Sequence, residues 1–384
     1  MSSNKRVYLV YLGGFLVAAH YALVVYLNSS LIKQFVGDNT LSLLYVIGSL
    51  CSIGTLLLAP FFLRKWGNVV TFLLFIFLEI IAVVGIGSVQ LALIVLALFI
   101  LHQAAESILY FCLDVSLEHE TKIEGTTGEK RSIFFTVQNV AWVLSPLMIA
   151  FLVRGDNFSN VYLLSGLMLA PLFILVFFFF RNPTLVKARD SYIGQAIKIL
   201  FRGGDTARIF TIQFLLNFFY AWMLIYLPLT LNTEIGFGWD TIGVLFTIML
   251  LPFILFEIPA GFLADRKFGE KELLIIGLII MTVATAFIPF LHTASFLLWA
   301  ILLFSTRIGA SIVEISAETY FFKHVKDKDT GLISLFRMAR PVALVIAPLC
   351  AIIILRFTDY SSSFIFLSLI TLSGLLFIPK VDTK

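Results

Sequence analysis

Long apolar runs separated by short polar clusters organise this chain. A helix rises about 1.5 Å per residue and a hydrocarbon core is about 30 Å thick, so runs of about 18–25 residues are long enough to span a membrane. On that measure the pattern predicts twelve spans: Val7–Leu27, Ser42–Leu63, Val69–Val89, Leu91–Ser116, Ser132–Val153, Asn160–Phe180, Ile209–Leu231, Thr241–Ala264, Leu273–Leu291, Ser295–Phe321, Gly331–Leu355 and Ser362–Ile378. The third and fourth runs are parted only around Gln90. The first run has no small-residue cleavage site and reads as a span rather than a leader.

Composition strengthens this picture. Of 384 residues 60% are hydrophobic and only 13% charged, and the mean hydropathy is +1.01. No water-soluble core could hide so much apolar surface, so the expected fold is an all-α polytopic membrane protein. The net charge of +4 does not point to nucleic acid, because the basic residues are dispersed among short connections. Their placement sets orientation instead. With the N-terminus in the cytoplasm, the Lys and Arg residues outside the runs fall on the cytoplasmic side, with the exceptions of Lys33, Arg154 and Arg356. That bias predicts an even number of crossings and both termini in the cytoplasm. The three cysteines, Cys51, Cys112 and Cys350, lie inside apolar runs without pairing or metal-ligand spacing, so neither disulfides nor a cysteine metal site is expected.

The longest polar connection, Arg181 to Arg208, divides the chain. The expected organisation is an N-terminal six-helix bundle (1–181), a cytoplasmic linker (182–207) and a C-terminal six-helix bundle (208–384). The basic piece Tyr192–Phe201 of the linker is either an amphipathic segment on the inner membrane surface or a plain hydrophilic connection. An internal repeat supports the division. A shift of 202 residues carries Arg64-Lys65-Trp66-Gly67 onto Arg266-Lys267-Phe268-Gly269, and Ser145-Pro146-Leu147 onto Ala347-Pro348-Leu349.

The connection after the eighth run reads GFLADRKFGEK from Gly261 to Lys271. Gly261, Leu263, Ala264, Asp265, Arg266, Gly269 and Lys271 resemble the loop signature of the major facilitator superfamily, with one extra residue before Gly269 and Glu270 after it. In the first half the copy has decayed, with Ala59 in place of Gly261 and Leu63 in place of Asp265. The resemblance implies two pseudo-symmetric six-helix bundles, a solute site between them, and alternating access as the bundles rock. It also implies a gating role for the second-half loop and a structural one for the first-half copy. The fragment Arg307-Ile308-Gly309-Ala310 is similar to the Arg-bearing fourth-helix signature of the same superfamily, which implies proton coupling in its exporters.

Ionisable residues inside the runs are the candidates for function, since each is costly in lipid. His102, Glu106, Tyr110 and Asp114 recur every four residues on one face of the fourth span. Arg307, Ser311, Glu314 and Glu318 make a similar stripe in the tenth, and Arg337 and Arg340 lie three apart in the eleventh. His20, Glu79, Asn217 and Glu257 lie in the first, third, seventh and eighth. The candidate solute and proton path comprises His20, His102, Glu106, Asp114, Asn217, Arg307, Glu314 and Arg340. The candidate cytoplasmic gate comprises Gly261, Asp265, Arg266, Gly269, Lys271, Glu257 and Glu318. Asp114 and Glu314, placed toward the cytoplasmic side, suit either a gate network or solute contact. His20 and His102 suit either the path or a hydrogen-bonded core, and they stand too far apart in sequence to suggest a metal-binding histidine set.

No GxxxxGK(S/T) loop, HExxH, CxxC or strand-linked GxGxxG occurs, and no cytoplasmic segment is long enough for a nucleotide-binding domain. The expectation is therefore a non-enzymatic, monomeric carrier without cofactor or metal, in the cell membrane, whose partners are a small organic solute, protons and lipid. Proton-coupled efflux is the leading direction. Uptake by symport or uniport of an anionic solute, suggested by the three arginines within the runs, is the alternative.

Overall fold

The computed structural model describes residues 3–121, 127–155, 157–180, 203–263, 269–324 and 330–380. Among these the chain is helical, apart from turns and one isolated bridge between Arg154 and Asn157. It divides into two compact units, Met1–Ala188 and Arg189–Lys384. The linker piece Tyr192–Phe201 lies outside the described residues.

The first unit contains α1 (Ser3–Val24), the short α2 (Asn28–Lys33), α3 (Asp38–Ser88), α4 (Ala92–Thr121), α5 (Thr127–Leu152) and α6 (Ser159–Phe179). Helix α3 is two spans in one, because its helical geometry breaks at Gly67 (φ 77°, ψ 169°). α3 packs against α4 and α6, while α1 packs against α4, α5 and α6. The second unit contains α7 (Asp205–Leu229), α8 (Trp239–Leu263), α9 (Glu270–Phe287), α10 (Phe296–His324), α11 (Thr330–Ile354) and α12 (Tyr360–Ser373). Here α10 packs on α7, α8 and α9, and α7 also meets α11 and α12.

By length and hydropathy, 11 helical segments of the described residues can cross a membrane. The twelfth, in α5, keeps an apolar core of Thr136–Leu152, shorter than the predicted Ser132–Val153. Its N-terminal turns carry Glu129, Lys130 and Arg131, which extend the helix beyond the apolar run. Backbone groups in lipid have no water to bond, which is why spans are helical throughout. The large side chains left exposed on these helices, Leu93, Phe151 and Phe178 among them, are those that hydrocarbon would cover.

The 202-residue repeat is visible in the backbone. Gly67 breaks α3, and its repeat mate Gly269 (φ 88°, ψ 160°) precedes α9. Both occupy a region that a side chain makes costly, so the same chain reversal is written with the same residue twice. Pro146 and Pro348, also related by the shift, lie inside α5 and α11.

Polar tethers join helices within each unit. Asn68, next to the Gly67 break, donates to the Ser116 hydroxyl (2.8 Å) and the Cys112 carbonyl (3.2 Å) of α4. In the second unit the Glu234 carboxylate accepts from the backbone N–H groups of Tyr360 (2.8 Å) and Ser361 (2.9 Å), at the start of α12. Asp359 caps the same helix by accepting from the Ser362 N–H at 2.8 Å. The bonds from Ser362 hold the Asp359 carboxyl below its ordinary value, so this contribution is present at neutral pH and is lost as pH falls through the lowered value.

Helices α9 and α10 come closest at Gly277 and Gly309. A Cβ on Gly309 would meet Met281 Cα at 2.8 Å, and one on Gly277 would meet the Gly309 carbonyl oxygen at 2.9 Å. Small residues are the means by which membrane helices approach without a hydrophobic drive. Gly309→Ala is expected to destabilise the second unit by about 1–3 kcal/mol, as overpacking does. Gly54→Ala meets open space within its helix and should leave stability unchanged or raise it by up to about 1 kcal/mol. Thermal unfolding of the purified protein checks both signs.

Candidate functional site

Four helices of the first unit bring together residues from distant parts of the chain. His20 on α1, Glu79 on the second arm of α3 and His102 on α4 are each at most 1% exposed. Each sits on the buried face of a helix whose other faces are apolar, so burying the face carries the polar side chain inward. His20 Nε2 lies 2.9 Å from Glu79 Oε1, and His102 Nδ1 bonds the same oxygen. One carboxylate oxygen thus accepts from two imidazoles. The outer nitrogens are also engaged: His20 Nδ1 lies 2.6 Å from the Ser165 hydroxyl on α6, and His102 Nε2 lies 3.5 Å from the Asn28 amide nitrogen. Asn28 in turn accepts from the Tyr162 hydroxyl at 2.6 Å.

The two histidines that look isolated in the sequence therefore share one partner. Their ligand atoms and that of Glu79 lie within 4.8 Å of one another, a composition that could suit a metal. The spacing argues for hydrogen bonds instead. Ligand atoms about 2.0–2.1 Å from a tetrahedral ion stand about 3.3 Å apart, whereas the imidazole nitrogens touch the carboxylate oxygen directly.

Along α4, Glu106 follows His102 by one turn and is 9% exposed, and its charge acts on His102. Tyr110 is half-buried and Asp114 exposed. The predicted stripe thus runs from the buried network to an accessible carboxylate.

The second unit places its charges differently. Arg307, 3% exposed, has its guanidinium 5.1 Å from the Phe219 ring and 5.3 Å from the Tyr220 ring. The Tyr220 hydroxyl donates to Glu314 Oε2 at 2.7 Å, which links the cation, the aromatic ring and the carboxylate across α7 and α10. Arg337 grips Glu318 with two nitrogens, at 2.7 and 3.3 Å. That arginine of the three is therefore committed to a carboxylate of its own unit. Arg340 is exposed, and Asn217 donates to the Gln213 carbonyl one turn earlier.

Of the gate residues, Gly269 is buried and Lys271 half-buried at the start of α9. Glu257 and Gly261 fall within α8, but their side-chain surroundings, like Asp265 and Arg266, lie outside the described residues. An apolar groove of about 570 Å³ between α9 and α10 is lined by Ile279, Val283, Phe287, Leu298 and Ile301. Its lining suits hydrocarbon rather than a polar solute.

Asn28, Tyr162 and Ser165 were not legible as members of a site. The repeat holds a signal that finds the site. Under the 202-residue shift His20, Glu79, His102, Tyr162 and Ser165 correspond to Trp222, Met281, Phe304, Phe364 and Leu367. Each of these five has an apolar counterpart, whereas Asn28 corresponds to the polar Thr230.

The family profile described as Major Facilitator Superfamily matches residues 209–384. The match falls within the second unit, which is similar to that superfamily. The chain's fold is also that of solved transporters. It is similar to a nucleoside transporter, NupG (TM-score 0.78, 10% identity, 97% of this chain and 98% of that one), and to a D-xylose-proton symporter (TM-score 0.77, 16% identity, 99% and 98%). No curated protein matches the sequence. The 11 described helices long and apolar enough to cross a membrane, together with this fold, indicate an integral, multi-pass membrane protein.

Two substitutions in the second unit separate buried from surface interactions. Tyr220→Phe removes the donor to Glu314 and should cost about 1–3 kcal/mol in unfolding free energy. Arg337→Gln breaks a pair whose arginine is 39% exposed and should cost less than about 1 kcal/mol. A reversed ranking in thermal unfolding would contradict the assignment.

Proposed function

We propose that this chain is a secondary transporter of the major facilitator superfamily that couples the movement of a small organic solute to protons. In this reading it works as a monomer in the cell membrane, with both termini in the cytoplasm, and exposes its site alternately to the two sides. The observation that carries the reading is the burial of ionisable side chains (His20, Glu79, His102, Glu106 and Arg307) within bundles whose interior is mostly apolar. Such groups are expensive at membrane depth and mark ion or solute paths.

The first-unit path runs along α4 through His102, Glu106 and Asp114, with His20 across from it. Asn217, Arg307, Glu314 and Arg340 supply the second-unit side. Glu106 and Asp114 exchange protons with the aqueous phase. Arg307, resting on two aromatic rings, and Arg340 offer cationic contacts to a solute. Gly261, Asp265, Arg266, Gly269, Lys271 and Glu257 form the cytoplasmic gate, to which the Glu318–Arg337 pair belongs.

Solute export in exchange for protons is the direction that the Arg307–Ala310 fragment supports. Solute entry together with a proton is the second reading, favoured by the structural likeness to a D-xylose-proton symporter.

Proteoliposomes containing a pH-sensitive dye test this reading with a panel that includes nucleosides and pentoses. In the wild type at least one solute should move protons across the membrane. The sign of the internal pH change distinguishes exchange from cotransport. Glu106→Gln and Asp114→Asn should each lower that proton flux at least about tenfold; undiminished flux in both variants would remove these two carboxylates from the proton path.

A further inference from the structure

The geometry points to the His20–Glu79–His102 network as a buried proton-binding site of the first unit, loaded and unloaded at His20 with the Ser165 hydroxyl as its rotor. The inference rests on the transporter reading only for the proton's destination; the site itself follows from the hydrogen-bond pattern.

The donors can be followed from the outside inward. The Tyr162 hydroxyl donates to Asn28 Oδ1 at 2.6 Å, which turns the Asn28 amide nitrogen toward His102 Nε2. An N–H pointing at Nε2 requires that nitrogen to accept, so the His102 proton sits on Nδ1 and is donated to Glu79. In this arrangement His102 donates from Nδ1 and accepts at Nε2.

His20 is not fixed. Its Nε2–H also donates to Glu79, but its Nδ1 faces Ser165 Oγ at 2.6 Å, and the same hydroxyl is 3.1 Å from the His20 carbonyl oxygen. Serine has one hydrogen for two acceptors. When it points to Nδ1, His20 is neutral and the three-residue cluster carries the single negative charge of Glu79. When it points to the carbonyl, Nδ1 carries a proton and donates to Oγ, and the cluster is neutral. Rotating one hydroxyl therefore accommodates one proton, with every heavy atom left in place.

The surroundings favour such exchange. Glu79 Oε2 is buried and accepts no hydrogen bond, so the carboxylate is incompletely stabilised when the cluster is negative. The groups that face the cluster are Tyr21 on α1, whose ring centre is 6.1 Å from that of His102, Glu106 and Tyr110 on α4, and Tyr162 and Ser165 on α6. From Ile133 to Leu152, α5 contributes no ionisable side chain. Glu106, one turn from His102 on α4, is the adjacent carboxylate, and Tyr110 and Asp114 continue from it.

The repeat shows that the fold does not require this polarity. At the corresponding places the second unit is built with Trp222, Met281, Phe304, Phe364 and Leu367, and Trp222 bonds only a serine, Ser363 Oγ, at 3.2 Å. A packing role could be filled by apolar residues, as it is there.

The test uses full-length protein labelled with ¹⁵N-histidine in lipid bilayers, followed by solid-state NMR from pH 5 to 9. The chain has five histidines, and His20→Gln and His102→Gln assign the two signals of interest. His20 should pass from the neutral to the imidazolium pattern within this range while His102 remains neutral. Glu79→Gln should abolish the imidazolium form of His20. Ser165→Ala, which deletes one hydroxyl and keeps the carboxylate, should lower its population at fixed pH at least about threefold, and it carries the test should Glu79→Gln fail to fold. A His20 signal that stays neutral throughout would overturn the proposal. So would signals that ignore pH but both shift with equimolar Zn²⁺, which would make the cluster a metal site. Because no solute is needed, a titrating His20 supports the site even if no panel solute moves, and a silent His20 overturns it even if proton-coupled flux is observed.

Discussion

A carboxylate removed from water must be compensated by its neighbours, and the first unit is arranged around one such group. Glu79 is fully buried among helices whose interior is mostly apolar. The isolated charge would be prohibitive, and the compensation comes from α1 and α4, which each aim an imidazole at the same oxygen. That demand fixes the rotational setting of both helices about the second arm of α3. Ser165 and Asn28 then hold the outer faces of the rings, so the constraint extends to α6 and the start of α2. A hydrogen-bonded cluster of this kind is stable when satisfied and responsive when a proton is added or removed, because the surrounding low dielectric magnifies each change of charge.

The two halves of the chain show that this is a choice rather than a requirement of the architecture. They share a chain reversal at Gly67 and Gly269 and prolines in α5 and α11. They do not share their charges. The first unit holds its network at the positions just named, whereas the second holds an arginine on two aromatic rings and a tyrosine–glutamate bond farther along α10. One scaffold made twice has thus been given two chemistries.

Most of the architecture was legible before any coordinates. Spans are long and apolar because lipid permits little else, and the signal is strong enough to locate twelve helices, with only the polar first turns of α5 escaping the pattern. The repeat was readable from two landmarks. The network was not. His20, Glu79 and His102 are separated by 59 and 23 residues along the chain, and nothing in local spacing says that three helices bring them onto one oxygen. Periodicity reports which face of a helix is polar, as it did for the α4 stripe, but not which face of another helix it meets. Asn28, Tyr162 and Ser165 are ordinary residues until their partners are known. Comparison of the halves supplies the missing signal, since a polar group opposite an apolar repeat mate marks expense that the fold does not demand.

That contrast yields the most direct measurement: the stability of a variant in which His20→Trp, Glu79→Met and His102→Phe introduce the residues found at the matching places in the second unit. Replacing a buried charged cluster by apolar side chains of similar size is typically neutral or stabilising by about 1–4 kcal/mol. The account predicts a thermal unfolding temperature equal to or above that of the wild type, together with loss of proton-driven solute movement. A variant that loses several degrees of stability while retaining proton-driven movement would show that the cluster serves the fold and not the transport.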